Sequence, residues 1–237
     1  MGLNRKEIVA RLEAIGEDVA QLDGIFITHE HCDHIAGLPV LVKAQRGKRA
    51  HQSVHAKVFA TAATAGAIDW NGAQPDLVLF EAGGAIELGD LVVQSFSVPH
   101  DARDPVGFTV TTGATKVSIA TDLGYVPDNV RWNLRQSQLI LLESNHCPEM
   151  LKVGPYPWHL KQRILSRKGH LSNEAASDYI AAELPNDNQL LILGHLSEQN
   201  NSIWQAELVA RQALDMRQHG ARLIVAEPRK QSDLFHL

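Results

Sequence analysis

The sequence predicts a mixed α/β fold in which sheets are layered with helices. Apolar runs of strand length alternate with amphipathic stretches of helix length in the second half of the chain. Glycine-rich turns divide a β-rich middle, and single His or Asp residues follow several apolar runs. With 237 residues, 44% of them hydrophobic, the chain can bury a substantial core. We therefore expect one domain over residues 1–237.

The individual elements follow from periodicity and from turn signals. The first part is predicted to hold a helix at 4–15, a strand at 24–28, a helix at 35–46, a strand near 54–58 and a helix at 59–69. Turn signals such as Gly83-Gly84 and Thr112-Gly113 separate predicted strands at 77–81, 85–88, 91–98, 106–112 and 115–121. The rest is predicted as strands at 138–143, 189–194 and 222–226, a proline-interrupted loop at 148–157, and helices at 158–167, 172–183 and 201–219.

Composition limits the class of protein and the cellular compartment that the sequence is compatible with. No segment has the roughly 18 uninterrupted apolar residues of a membrane span, and the first residues lack the apolar core of a secretory signal. The two cysteines, Cys32 and Cys147, argue against a disulfide framework and predict a cytoplasmic protein. A net charge of −5 is unlike that of most nucleic-acid-binding domains, so any such function requires a local basic surface.

The run Thr28-His29-Glu30-His31-Cys32-Asp33-His34 follows the apolar stretch Gly24–Ile27 and concentrates metal ligands. Imidazole and carboxylate together suit Zn²⁺ and can hold Mn²⁺. The order H-x-H-x-D-H divides into two sets, His29 with His31 for one cation and Asp33 with His34 for a second. Two metals about 3.5–4 Å apart are a common apparatus for hydrolysing phosphate esters.

Three further candidate ligands each follow an apolar run of strand length. They are His100, Asp122 and His195, at places where a sheet delivers polar side chains into a shared cleft. A single His or Asp at the end of a strand is more often a hydrogen-bonded surface or turn residue. The combined order of all seven residues is what favours a metal site.

In this order the residues resemble the metallo-β-lactamase-fold hydrolases. The resemblance implies a four-layer αββα sandwich with two divalent metal ions, Zn²⁺ or Mn²⁺, and a hydroxide between them as nucleophile. It implies His29, His31 and His100 as ligands of one metal, Asp33, His34 and His195 as ligands of the other, and Asp122 as the bridge. Family members generally open with two further strands, so this chain is expected to lack the first N-terminal β-hairpin and to be less stable for it.

The region after Asp122 is similar to the YycJ/WalJ group of that superfamily, whose members resemble DNA exonucleases. The matching segments are Glu143-Ser144-Asn145-His146, residues 154–166, Gly169-His170-Leu171-Ser172-Asn173 and residues 195–201. The resemblance implies a 5′-to-3′ DNA exonuclease in which Asp33 also positions the nucleophile. Gly169–Ser172 also resembles a segment of tRNase Z, which implies that His170, supported by Glu143, protonates the leaving oxygen. Alternatively, His170 merely precedes a helix that Ser172 caps.

A basic stretch supplies a candidate surface for nucleic acid. Between Met150 and Lys168 there are five Lys or Arg residues and no Asp or Glu, and Pro155-Tyr156-Pro157-Trp158 lies among them. Basic side chains neutralise phosphates and exposed aromatic rings stack on unpaired bases. The predicted substrate contacts are His146, Lys161, Arg163 and Asn173. The alternative is an ordinary solvated helix face with Trp158 in the core.

Two other functions stay open at the level of sequence. A thioesterase or lactonase of glyoxalase type would use the same metals on a small molecule. A folded remnant could bind metal without turnover, since the first hairpin is expected to be missing. The metal identity, the choice between DNA and RNA, with DNA favoured, the strand polarity and the oligomeric state are left undecided.

Overall fold

The computed structural model describes residues 2–43 and 54–237, and it confirms a mixed α/β fold with two sheets and helices. The chain forms two compact units. The first comprises Met1–Gly84 with Ala102–Val106, and the second comprises Ala85–Asp101 with Gly107–Leu237. Among the described residues, no helix has the length and apolar character needed to cross a membrane.

The first unit is built on a small parallel sheet. Its elements are α1 (Arg5–Ala14), a 3₁₀ turn (Val19–Gln21), β1 (Gly24–Phe26), α2 (Cys32–Ile35), α3 (Leu38–Val42), β2 (Lys57–Thr61), α4 (Ala62–Ala67) and β3 (Leu77–Phe80). The strands pair in the order β1-β2-β3. A buried apolar cluster joins the sheet to the helices, with Ile25, Leu38, Leu41 and Val58 among its members.

Local chemistry explains where the elements of this unit begin and how they pair. The Asn4 side chain accepts a hydrogen bond of 3.0 Å from the Glu7 amide, which satisfies one of the unpaired donors at the start of α1. Phe26 and Phe59 occupy paired positions on β1 and β2, and their rings stack with centroids 4.4 Å apart. This pair fixes the register at the strand that leads into the H-x-H-x-D-H loop.

The second unit is built on a seven-stranded sheet. Its elements are β4 (Ala85–Leu88), β5 (Leu91–Ser97), β6 (Val106–Thr112), β7 (Thr115–Ala120), α5 (Asp128–Leu134), β8 (Leu139–Glu143), α6 (Pro148–Val153), α7 (Trp158–Ile164), α8 (Asn173–Glu183), β9 (Leu190–Gly194), α9 (Ile203–Met216) and β10 (Arg222–Val225). The strand order is β10-β9-β8-β7-β6-β5-β4. Its core includes Leu142, Leu191 and Leu193 from the sheet and Ile180 and Leu214 from the helices.

The parallel part of this sheet places polar residues at one edge. Strands β7, β8, β9 and β10 run parallel to one another, so their carboxyl ends lie together. Glu143 is the last residue of β8, His195 directly follows β9, and Asp122 follows β7 after one intervening residue. The sheet therefore brings together three side chains that are more than 70 residues apart from first to last.

Several predicted bounds were wrong, each for a local reason. The helix predicted at 35–46 is interrupted at Gly37 between α2 and α3, and residues 44–46 lie outside the described residues. The helix predicted at 59–69 begins at Ala62, because residues 59–61 continue the buried strand β2 and the Thr61 hydroxyl caps α4. The loop predicted at 148–157 contains α6, which has Pro148 at its first position. Helix α5 was not predicted at all.

Two further predictions concern the whole chain and stay predictions. In the described part of the chain, α1 is the first helix or strand. The expected lack of an N-terminal hairpin, with lower stability, awaits a measurement of unfolding. The expectation of a single domain over residues 1–237 is likewise untested.

Candidate metal centre

In the first unit, the loop after β1 gathers imidazole rings around the Thr28 hydroxyl. His29 Nε2 lies 3.0 Å from His31 Nδ1. Thr28 Oγ1 lies 3.2 Å from Nδ1 of His29 and 3.2 Å from Nδ1 of His34. A hydroxyl has two lone pairs, so it can accept from both rings, which places the lone pair of each ring on Nε2, the atom that would bind a cation. No role was predicted for Thr28 from the sequence.

The backbone of Asp33, the other predicted ligand of this loop, is in close contact with Gly2. Asp33 is the second residue of α2, with its side chain 61% exposed and Oδ2 3.6 Å from His34 Nε2. Gly2 packs against it so tightly that a Cβ at position 2 would lie 1.5 Å from the Asp33 carbonyl oxygen. A side chain at position 2 would therefore displace the Asp33 backbone, which makes Gly2 part of the structure that positions this loop.

In the second unit, Asp122 and His195 adopt an unusual backbone conformation at their strand ends. Both have positive φ, 60° for Asp122 and 57° for His195. This left-handed conformation is uncommon for residues with a side chain, and such strain is often retained at functional sites. Both are predicted metal ligands, and the left-handed conformation gives their side chains a direction that a continuing strand would not give.

Glu143 organises the centre of this unit. It is completely buried and accepts four hydrogen bonds. Its Oε1 accepts from Nδ1 of His170 at 2.7 Å and from Nδ1 of His195 at 2.8 Å. Its Oε2 accepts from the backbone amides of Leu123 at 2.9 Å and Leu171 at 3.2 Å. The carboxylate thus fixes both rings, and its charge is fully hydrogen-bonded despite its burial.

The hydrogen bonds determine which ring nitrogens can bind a metal. His195 donates from Nδ1 to Glu143, and His100 donates from Nδ1 to the Gly169 carbonyl at 3.1 Å, so each neutral ring keeps its Nε2 lone pair. These Nε2 atoms lie 3.5 Å and 3.7 Å from Asp122 Oδ1. Both separations are too long for hydrogen bonds.

The residues present fit a divalent cation. Ligand atoms about 2.0–2.1 Å from a tetrahedral metal are about 3.3 Å apart, close to the separations around Asp122 Oδ1. Asp122, Glu143, His170 and His195 each place a ligand atom within 4.8 Å of the others. Because Glu143 is already bonded to two rings, it is better suited to orient ligands than to bind the metal itself. Nitrogen and oxygen donors of this kind suit several divalent metals.

Electrostatics support this arrangement in the metal-free protein. Burial raises the pKa of Glu143, but the hydrogen bonds from His170 and His195 outweigh it and hold the pKa below its usual range. Burial lowers the pKa of His170, whereas the hydrogen bond to Glu143 raises it, and the net shift is upward. His170 is therefore biased toward its charged form, as a proton donor requires.

His146 is buried, and its ring has no hydrogen-bond partner within residues 2–43 and 54–237. The residue is 1% exposed. Burial lowers its pKa to about 4, although Glu143 acts in the opposite direction. Ring nitrogens that are buried and unpaired are costly, and such groups often serve a ligand. The substrate contact predicted for His146 stays a prediction.

The other predicted substrate residues are engaged within the protein. Lys161 is 8% exposed and donates to the Lys152 carbonyl at 2.7 Å. Asn173 is buried in a network with Ser144 and Asn201 that occupies its amide oxygen and nitrogen. Arg163 forms a two-point ion pair with Asp101. Direct contacts from Lys161 and Asn173 stay predictions, and the geometry favours a structural role for both.

The basic stretch presents aromatic and apolar side chains to solvent. Trp158 is 65% exposed, so the alternative that placed it in the core was wrong. Val153 is 86% exposed and Leu165 47% exposed. The Arg167 guanidinium lies over the Tyr125 ring at 4.0 Å, which presents a flat cationic surface. Ser172 caps α8 by accepting from the Ala175 amide, as one interpretation of this segment predicted.

Fold and site together define a metal-binding α/β hydrolase framework. A family model described as the beta-lactamase superfamily domain matches residues 4–195, and the chain belongs to this family. It is similar to proteins named exodeoxyribonuclease. The chain is 33% identical over 222 residues to exodeoxyribonuclease YycJ of Bacillus anthracis, which covers 92% of this chain and 81% of that protein.

A second relative and a solved structure agree with this assignment. Exodeoxyribonuclease WalJ of Streptococcus pneumoniae is 36% identical over 200 residues, or 84% of this chain and 73% of that protein. The crystal structure of the metallo-beta-lactamase fold protein YhfI from Bacillus subtilis superimposes with a TM-score of 0.65 at 18% identity, covering 88% of this chain and 77% of that chain. At that identity the structural match supports the fold alone. The predicted superfamily, and the resemblance to the YycJ/WalJ group, are confirmed.

Proposed function

We propose that this protein is a metal-dependent phosphodiesterase, a 5′-to-3′ exonuclease that acts on DNA. The observation that carries the proposal is its similarity, over 92% of its length, to a protein named exodeoxyribonuclease. The buried His and Asp cluster of the second unit supports it, because that cluster offers the donor set of a hydrolytic metal centre. Cytoplasmic localisation, inferred from cysteine usage, is part of the same proposal.

We propose two divalent metal ions, Zn²⁺ or Mn²⁺, as cofactors. The proposed ligands are His29, His31, Asp33, His34, His100, Asp122 and His195. When bound, the metals supply an activated nucleophile and positive charge for the phosphate oxygens. Thr28, Gly169 and Glu143 hold ring nitrogens so that ligand lone pairs stay available, and this support comes from the chain itself.

The chain provides a proton donor for the leaving oxygen. His170 is hydrogen-bonded through Nδ1 to Glu143, and its side chain is 21% exposed, whereas Glu143 is fully buried. The ring is thereby oriented and biased toward its protonated form, with Nε2 left to transfer the proton. Asp33, 61% exposed, is proposed both to bind metal and to position the nucleophile. His146, neutral at pH 7 and with no hydrogen-bond partner in the part of the chain that the structure describes, is proposed to donate a hydrogen bond to a substrate phosphate.

The substrate is proposed to run over the basic surface around α7. Arg167 and Lys168 are exposed and precede His170 by three and two residues, and Trp158 is exposed at the start of α7. Cationic side chains neutralise phosphates, and an exposed indole stacks on an unpaired base. These features favour a nucleic-acid chain over a small thioester or lactone, which would require an apolar pocket rather than an open basic surface.

The test is digestion of DNA labelled at either end, as duplex and as single strand, in Mn²⁺ and in Zn²⁺. RNA of the same sequence is the parallel substrate. We expect metal-dependent release of nucleotides from the 5′ end of DNA, and loss of this activity in His29→Ala. The matched control is His236→Ala, which changes an exposed histidine near the C-terminus and should keep full activity.

The alternative outcomes are equally definite. Faster cleavage of RNA, or release from the 3′ end, would overturn the substrate or the polarity. Hydrolysis of a thioester or lactone with no nucleotide release would establish the small-molecule alternative. Metal binding with no turnover of any ester would establish a metal-binding remnant.

A further inference from the structure

Arg163 of α7 forms a two-point ion pair with Asp101, a residue for which no role was predicted from the sequence. The guanidinium donates from Nη2 to Asp101 Oδ1 at 3.0 Å and from Nε to Oδ2. The two hydrogen bonds fix both the position and the plane of the carboxylate. Asp101 and Arg163 are 62 residues apart in sequence, so the pair ties the loop after β5 to α7 within the second unit.

The carboxylate that Arg163 fixes faces a predicted metal ligand. Asp101 Oδ1 lies 3.6 Å from His100 Nε2, and Asp122 Oδ1 lies 3.7 Å from the same nitrogen. Since His100 Nδ1 donates to the Gly169 carbonyl, Nε2 is the atom that carries the lone pair. Two carboxylate oxygens thus flank one metal-binding nitrogen at nearly equal distances. Two carboxylate oxygens and one imidazole nitrogen, with neither oxygen close enough to the nitrogen for a hydrogen bond, form a donor set that suits a divalent cation.

We propose that Asp101 is a positioning residue of the metal centre, with Oδ1 facing the cation held through His100 and with its orientation fixed by Arg163. The inference rests on the metal binding proposed for this chain, and it places a supporting carboxylate beside the seven predicted ligands. It also gives Arg163 a role other than a direct phosphate contact. The rival explanation is a surface ion pair that only joins α7 to the loop, since the two side chains are 53% and 29% exposed.

Two substitutions separate these explanations, because both break the ion pair and only one removes the carboxylate. The variants are Asp101→Ala and Arg163→Ala in the full chain. Mn²⁺ binding is measured by titration, and the visible absorption spectrum of the cobalt-loaded protein reports ligand geometry. Urea unfolding in a chelator shows whether the two metal-free variants lose equal stability, as loss of the same pair requires.

We expect Asp101→Ala to weaken Mn²⁺ binding by about 10-fold or more and to change the cobalt spectrum. Arg163→Ala, which keeps the carboxylate, should weaken Mn²⁺ binding by less than about threefold. Equal losses in the two variants, or wild-type affinity in both, would overturn the proposal. A wild-type chain that binds no metal would overturn the metal centre and this inference with it, whereas metal binding without nuclease activity would leave the inference standing.

Discussion

Replacing Glu143 by Gln tests how the centre of the second unit is held together. The substitution keeps the shape of the side chain and exchanges one acceptor oxygen for a donor NH₂. If the amide nitrogen faces His170 and His195, two buried Nδ1–H groups lose their acceptor. If it faces the other way, the amides of Leu123 and Leu171 lose theirs.

Each orientation therefore leaves two buried donors unpaired, at about 1–3 kcal/mol each. Breaking a buried charged network by changing one partner typically costs about 3–5 kcal/mol, and we expect a loss of unfolding free energy in that range. The two histidines can relieve part of this cost by moving the proton from Nδ1 to Nε2. That change removes the Nε2 lone pair, so any stability regained appears as lost metal affinity.

The assay combines urea unfolding of the metal-free protein with Mn²⁺ titration of the same sample. The control is Glu149→Gln, whose carboxylate is 77% exposed and pairs only with Lys152 among the interactions described. The control should change unfolding free energy by less than about 0.5 kcal/mol. A Glu143→Gln variant with a stability loss below about 1 kcal/mol and unchanged Mn²⁺ affinity would refute the reasoning. The cost of the unpaired donors must appear either in the free energy of unfolding or in the metal affinity.

Three further predictions follow from packing and exposure. Leu142→Ala, at a fully buried position on β8, should lower the free energy of urea unfolding by about 2–5 kcal/mol, and a smaller loss would show that the core around it collapses. Gly107→Ala places a Cβ 2.5 Å from Phe96 Cζ and 2.7 Å from the Ile119 carbonyl oxygen, so thermal unfolding should show a loss of about 1–3 kcal/mol. Trp158→Ala should leave stability unchanged and weaken binding of a single-stranded oligonucleotide by about 1–3 kcal/mol in a fluorescence titration, and unchanged affinity would remove Trp158 from the substrate surface.

The sequence predicted candidate site residues where they lie in one continuous segment or directly after an apolar run. The H-x-H-x-D-H loop is continuous, and strand-end residues such as Asp122 and His195 could be found because apolar runs precede them. The pairing of Glu143 with His170 was also predicted and is confirmed at 2.7 Å. Its cause is that the segment after β8 pairs with the segment before α8, through the Asn145 amide bonded to the Leu171 carbonyl and the bridge between His146 and Ser172.

Other features depend on contacts between distant segments, and local patterns do not encode these. Glu143 also binds His195, a connection across 52 residues, and Asp101 meets Arg163 across 62 residues. The burial of Lys161 contradicts what its charge alone suggests, because its ammonium finds a backbone carbonyl. Thr28 showed a weaker signal, as a hydroxyl directly before the first histidine, and it could have been found by asking what orients that ring.

The predicted bounds of helices and strands were wrong where a capping or packing preference outweighed helix propensity. Ala-rich sequence favours helix, yet Ala60 is fully buried on β2 and Thr61 is the residue that starts α4. Proline at 148 was interpreted as a breaker although it occupies the first turn of α6, where its missing amide costs nothing. Such choices are decided by tertiary contacts rather than by composition.

A single oxygen, Oε1 of Glu143, serves two rings with different proposed tasks. His170 and His195 compete for its electron density, since both donate to it at nearly the same length. If His195 binds a cation through Nε2 as proposed, its Nδ1–H would become a stronger donor, and Oε1 would hold the His170 proton less tightly. Loading of the site would then be communicated to the acidity of a neighbouring imidazole through one shared atom. The proposed proton donor would then be more basic while the site is empty and more acidic once it is filled.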